Sequence, residues 1–221
     1  MTGLALLGLT AALWAAWAAP IDTGTPPHVG EGMIQKTLYL HVPSANMMYL
    51  SLAVTVVASI LFLVKKSRAA DRVALVGAEL TVLFGSIVLA TGPIWARPIW
   101  NTWWQFDARL TSTLVLWFLY VGCLVVRPLA ADQAQGARWA AVVAIIGALD
   151  APIVHWSVTW WQTLHPRPAP GSGILPSPEL GPGMHGAFLL GMLAFPLLWG
   201  ALFAARLALE KLEDLAPETR S

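Results

Sequence analysis

Five histidines, at positions 28, 41, 155, 165 and 185, and seven of the 12 tryptophans, at 95, 100, 103, 104, 156, 160 and 161, stand between or at the ends of long apolar runs. A neutral imidazole is a metal donor, and two imidazoles on separate segments can take both axial positions of a haem iron. Indoles add broad apolar walls, which suit a large, flat ligand. His41 is the first candidate ligand because it follows a loop and opens an apolar run. His165 is the second: it lies four residues after Trp161, so one helical turn would aim ring and imidazole the same way. His155 and His185 flank later runs, and His28 lies in a loop rich in Gly and Pro. Spacing alone ranks these five weakly, and a lone histidine at a helix end is more often a hydrogen-bonded structural residue than a ligand.

The elements that must hold these side chains follow from bulk composition. Of the 221 residues, 57% are hydrophobic and 11% charged, and the mean hydropathy is +0.65. That balance belongs to an integral membrane protein. A formal net charge of +1 shows no bias toward nucleic acid. Cys123 is the only cysteine, so no internal disulfide forms, and the chain has no Cys-x-x-Cys-His site for covalent haem. It also lacks a phosphate-binding glycine loop, which excludes ATPase machinery of its own.

Apolar runs long enough to cross a bilayer, about 20 residues each, occupy roughly 3–20, 43–64, 73–92, 108–126, 138–155 and 185–206. The expected fold is all-α and polytopic, with six transmembrane helices. Lys65, Lys66, Arg68, Arg72, Arg127, Arg138, Arg206, Lys211 and Arg220 gather on one side, leaving Lys36, Arg97, Arg109 and Arg167 for the other. The positive-inside rule then puts both termini in the cytoplasm and the loops 21–42, 93–107 and 156–184 outside. All five histidines and the seven tryptophans fall on or beside that outer face. Ala16-Trp17-Ala18 has the form of a signal-peptide cleavage site, a minor alternative for the first run that leaves the other loops in place.

Three local expectations follow. Pro43 fits the first turn of the second span, so His41 should sit at the membrane surface. The segment 155–165 is aromatic enough to form a short helix lying on the membrane, ahead of a proline-rich, irregular stretch. Trp100, Trp103, Trp104 and Asp107 fall at i, i+3, i+4 and i+7, one stripe of a short amphipathic helix that would present a continuous indole platform. Asp107 also precedes the fourth span, where its carboxylate can cap the exposed amides. The alternative for the tryptophans is an aromatic belt, but a belt populates both interfaces, and the cytoplasmic side offers only Trp139.

The run Trp100-Asn101-Thr102-Trp103-Trp104-Gln105-Phe106-Asp107 resembles the tryptophan-rich WWD signature of haem-handling proteins in c-type cytochrome maturation. With Tyr39-Leu40-His41-Val42-Pro43 and the stretch from Pro152 to His165, it is similar to the CcmC family over about residues 37–165. Two departures stand out: the family glycine after the first Trp is Asn101, and the last Trp before the Asp is Phe106, which has no N–H to donate.

The resemblance implies a single transmembrane haem-handling domain over 1–221, not an enzyme, in a bacterial inner membrane with its site facing the periplasm. It implies His41 and His165 as axial ligands of non-covalent haem b, whereas His155 matches a position that is not the family's ligand. Trp95, Trp100, Trp103, Trp104, Phe106, Asp107 and Trp161 are the expected platform and its supports. Arg97 and Arg109 are the candidates for a haem propionate, with snorkelling as the other role open to Arg109. The implied partners are the chaperone CcmE, which captures the haem, the ABC-type subunits CcmA and CcmB, the small protein CcmD, and membrane lipid. Two readings from other classes stand beside this one. An ABC-type permease subunit for haem or another amphipathic solute would carry polar residues along several spans; a quinone-reactive b-type cytochrome would pair histidines within the helices. Glu79 and Asp150 lie inside spans. Glu79 is expected to meet a partner subunit and Asp150 to line a route beneath the site, unless each is simply packed and hydrogen-bonded.

Overall fold

A computed structural model describes residues 2–21, 23, 31–161, 163–165, 180 and 183–215. The architecture is all-helical: α1 (Thr2–Ala18), α2 (Leu38–Lys65) entered through a 3-10 turn (Met33–Thr37), α3 (Arg68–Trp100), α4 (Ala108–Leu129), α5 (Gln133–Ala148), α6 (Asp150–Trp160) and α7 (Met184–Leu215). Five units are long and apolar enough to cross a membrane: Met33–Lys65, Arg68–Trp100, Ala108–Leu129, Gln133–Trp160 and Met184–Leu212. α1 is the sixth and shortest, an apolar helix lying antiparallel along α7, with Gly8 against Ala194 and Leu197 and Ala19 beside Ala187 and Phe188.

Helix starts follow local chemistry. Ser67 accepts a hydrogen bond from the Ala70 amide at 3.4 Å, Asp107 from Leu110 at 2.8 Å and Asp132 from Gln135 at 2.7 Å, capping α3, α4 and α5. The Asp107 cap agrees with the sequence expectation.

Several boundaries differ from it, each at a segment that carries a proline. α2 begins at Leu38, so Pro43 lies beyond the first turn and is buried. Its missing amide leaves the Tyr39 carbonyl unanswered within the helix. α7 approaches so closely there that a Cβ on Gly191 would lie 3.3 Å from that oxygen. α3 runs past the expected end at 92 and carries Pro93 and Pro98 inside it. The fifth span divides at Leu149, because Pro152 cannot donate to the Ala148 carbonyl; α6 then resumes and continues to Trp160. The expected surface helix over 155–165 is therefore mostly the end of this span.

The core joins Met47, Met48 and Leu52 of α2 to Leu80 and Phe84 of α3, Leu116 and Tyr120 of α4, Val154 of α6 and Phe195 of α7. Several buried hydroxyls here bond back onto their own helix. Ser51, Thr55 and Thr81 donate to the carbonyls four residues back at 2.7, 2.8 and 2.9 Å. The Trp199 indole donates to Ser51 Oγ at 2.8 Å, and that of Trp117 to Ser86 Oγ at 2.9 Å.

At the end of the bundle rich in basic residues, Arg127 grips Asp71 through two contacts of 2.8 Å. Arg206 pairs with Glu79 at 2.8 Å and also reaches Glu210. Glu79 thus has its charge answered inside the chain, which accounts for an ionisable group in a span without a partner subunit.

Candidate haem-facing end of the bundle

His41 lies in the first turns of α2, half-buried against α3. Its Nδ1 is 2.8 Å from Thr91 Oγ1. The Thr91 hydroxyl is itself 2.7 Å from the Ile87 carbonyl, which can only accept. The single hydroxyl proton therefore points to Ile87, and the Thr91 oxygen accepts from His41 Nδ1–H. That tautomer leaves the Nε2 lone pair free. Beside the ring, a Cβ on Gly92 would stand 3.6 Å from Cε1, so the glycine keeps that edge uncrowded.

The tryptophan segment does not form the expected amphipathic helix. α3 ends at Trp100 because Asn101 adopts a left-handed conformation, φ 55° and ψ 24°, and residues 101–107 are irregular. Arg97 donates to Asn101 Oδ1, and Thr102 Oγ1 to the Trp104 carbonyl at 2.9 Å. The 3.6-residue periodicity in the sequence is thus overridden by one backbone angle, and the four residues share no helical stripe. The same angle explains the Asn101 departure, since Asn is the side chain that best replaces glycine in this region. Asn101→Val is expected to cost about 1–2 kcal/mol while Asn101→Gly stays close to the parent, measured by thermal unfolding in detergent. Equal stability of the two variants would show that the angle is not what selects the residue.

The aromatic side chains here divide by role. Trp95 donates to Glu31 Oε2 at 2.8 Å and meets Trp100 edge-on at 4.9 Å, tying the first loop to α3. Trp103 and Phe106 are open, at 61% and 85% exposure, and Trp104 lies 6.3 Å from Phe106. On α6 and its exit, Trp156, Trp160 and Trp161 form an exposed ladder with ring separations of 5.8 and 5.7 Å. Phe106 reaches outward, where the loss of an indole N–H costs nothing inside the fold.

His165 comes after the end of α6, and Trp161 is extended, with φ −126° and ψ 162°, so the helical Trp161 to His165 spacing does not arise. His165 instead meets α4: Arg109 Nη1 lies 3.4 Å from its Nδ1. A guanidinium only donates, so in this arrangement Nδ1 accepts and the imidazole proton sits on Nε2. Arg109 is also within Coulombic reach of His41, Tyr49 and Asp107. His41, Arg109 and His165 therefore gather at one end of the bundle, contributed by α2, α4 and the chain beyond α6.

Two of the remaining histidines are exposed. His155 is exposed on α6, edge-on to Tyr49 at 6.5 Å and to Trp156 at 5.4 Å. His185 is exposed at the start of α7. His28 lies outside the described residues, as do Arg167 and the proline-rich stretch. Thr91 and Tyr49 were not singled out in the sequence. Thr91-Gly92-Pro93, a polar, small and helix-restricting trio ending an apolar run, was the available signal.

Six buried side-chain oxygens near this end have no hydrogen-bond partner among the described residues: Gln35 Oε1, Ser44 Oγ, Tyr49 Oη, Asp107 Oδ2, Thr111 Oγ1 and Asp150 Oδ2. Among the described residues no three His, Cys, Asp or Glu assemble as a metal site. The donor set instead suits iron that arrives inside a porphyrin, which needs only axial nitrogens from the protein and cations for its carboxylates. His41 Nε2, His165 and Arg109 fit that requirement.

The family model "Heme exporter protein C", CcmC, matches residues 1–219. The chain is 34% identical over 197 residues to the heme exporter protein C of Bradyrhizobium diazoefficiens, covering 89% of this chain and 73% of that protein. The Haemophilus influenzae protein of that name is 33% identical over 216 residues, 96% and 82% of the two chains. The Escherichia coli K12 protein is 38% identical over 153 residues, 69% of this chain and 60% of the relative's length. The helical membrane fold and the match along nearly the whole sequence lead to one conclusion: this chain belongs to the heme exporter protein C (CcmC) family.

Proposed function

We propose that this protein handles haem during c-type cytochrome maturation, holding it at one face of the membrane between His41 and His165 and passing it to the chaperone CcmE. Family membership supports the coarse role. The observation that carries the finer one is the gathering of His41, with Nε2 uncommitted, Arg109 and His165 at a single end of the bundle.

In this reading 1–221 is one membrane-embedded unit of a bacterial inner membrane. Its site faces the periplasm, opposite the basic end, and CcmA, CcmB and CcmD are its associates. Haem b is cargo, bound without a covalent link, and the chain makes or breaks no bond. The cargo brings an iron with two axial positions, two carboxylates and a broad apolar face.

His41 offers Nε2 to the iron. Arg109 is the cation for a propionate; when it leaves His165, the imidazole proton can move to Nδ1 and release Nε2 as the second donor. Trp103 and Phe106 line the approach with exposed aromatic surface, backed by half-buried Trp104, and the Trp156 to Trp161 ladder adds a second wall. Asp107 supports this end by capping α4, with Trp95 and Trp100 holding the first loop against α3. Without a thioether the haem remains removable, as a handover requires.

Arg97 is already engaged by Asn101 and exposed, so the two arginines should separate experimentally. Arg109→Gln is expected to weaken haem retention about 10-fold, the worth of a charge-assisted hydrogen bond, and Arg97→Gln to leave it unchanged, measured by haem titration in detergent. Unchanged retention in both variants would remove any propionate role for either.

The overall reading is tested by the absorption spectrum of the protein purified from haem-replete cells. A Soret band that fades when CcmE is added supports it. A colourless protein would favour the permease reading.

A further inference from the structure

Resting on the assignment of His41 as a haem ligand, we infer that Thr91 is its positioning residue, taking the Nδ1 proton and thereby presenting the Nε2 lone pair to the iron. A histidine that binds metal through one ring nitrogen has its tautomer and ring angle set by the partner of the other. In soluble sites that partner is a carboxylate, a carbonyl or water. Here it is a threonine hydroxyl polarised by its own helix.

The arrangement is directional. Thr91 Oγ1 is 2.7 Å from the Ile87 carbonyl and 2.8 Å from His41 Nδ1. Were Nδ1 the acceptor, the hydroxyl oxygen and the Ile87 oxygen would face each other at 2.7 Å with no proton between them. The chain Ile87 carbonyl, Thr91 hydroxyl, His41 imidazole is consistent in one sense only. Each link also makes the next a better acceptor, so the ring gains electron density toward Nε2.

The other contact of the hydroxyl, the Val88 carbonyl at 3.4 Å, is also an acceptor on α3 and leaves the direction unchanged. Thr91 is 7% exposed, it lies on α3 whereas His41 lies on α2, and 50 residues separate them. Residue 92, next along α3, is a glycine whose absent side chain leaves the ring edge at Cε1 uncovered. α3 therefore supplies both the hydrogen bond that aims the ring and the gap beside it.

Thr91→Val keeps the shape and removes the acceptor; Thr91→Ser keeps it. Haem titration and redox potentiometry of the full chain in detergent read the difference. Thr91→Val is expected to lower haem affinity about 10–100-fold, the usual cost of losing such a partner, and to move the iron midpoint potential to a more positive value. Thr91→Ser should stay close to the parent in both. Combining Thr91→Val with His41→Ala separates positioning from a general packing defect, because Thr91→Val should cost nothing further once the imidazole is gone.

An unchanged affinity and potential in Thr91→Val overturns the inference. So does an equal further loss in the His41→Ala background, which would mark a packing role. If His41→Ala alone binds haem as the parent does, the ligand assignment fails instead, a result the same titration distinguishes.

Discussion

His41→Ala is expected to remove the haem Soret band from the purified protein, with affinity falling by more than about 100-fold, beyond what loss of a supporting hydrogen bond costs. The fold should survive the change. Thr91 keeps its own donor bond to Ile87 when the imidazole is gone, so truncation leaves no orphaned donor.

The vacated space allows a direct control: imidazole added from solution should restore part of the band. His165→Ala should show a comparable loss, with Arg109 now deprived of its acceptor at 3.4 Å. His155→Ala and His185→Ala, which alter exposed rings not assigned as ligands, should retain the parent spectrum. A full Soret band in His41→Ala and in His165→Ala would refute the two-ligand reading.

The second large effect is expected at Gly77, where α3 lies close against α2. A Cβ there would lie 2.4 Å from Thr55 Oγ1 and 3.2 Å from both the Ser51 carbonyl oxygen and the Thr55 amide nitrogen. Small residues permit such approaches in membranes, where packing and not water drives helices together. Thr55 cannot easily yield, because its hydroxyl is bonded to Ser51 at 2.8 Å and its side chain is 1% exposed.

Gly77→Leu should therefore destabilise the bundle by at least the 1–3 kcal/mol typical of overpacking, and Gly77→Ala by less. Thermal unfolding in detergent provides the measure. Adding Thr55→Ala to Gly77→Ala should recover part of the loss, since the nearest clashing atom is then absent. Absence of any recovery would place the strain on the backbone. Because α2 carries His41 and α3 carries Thr91, Gly77→Leu should also weaken haem retention from a distance.

Prolines illustrate how far the sequence could be read. Pro43, Pro93 and Pro98 each suggest a helix edge, yet all three stand inside helices, whereas Pro152 does mark the break between α5 and α6. A proline removes one amide, and a helix already committed to crossing an apolar medium can bear that loss where a neighbour packs close, as Gly191 does beside Tyr39. The tryptophan stripe failed for the opposite reason. Its spacing is helical, but Asn101 turns left-handed and ends the helix before the stripe is built.

The apolar runs, the carboxylate cap at Asp107, the clustering of basic residues and the candidate ligands were all determined by the sequence itself, because hydrophobicity and capping act over one or a few turns. The tertiary structure decided which residues meet. His41 with Thr91, Arg109 with His165, and Arg206 with Glu79 join positions 50, 56 and 127 residues apart. No local preference encodes such pairs; they exist only because the helices pack side by side and bring distant side chains into hydrogen-bonding range.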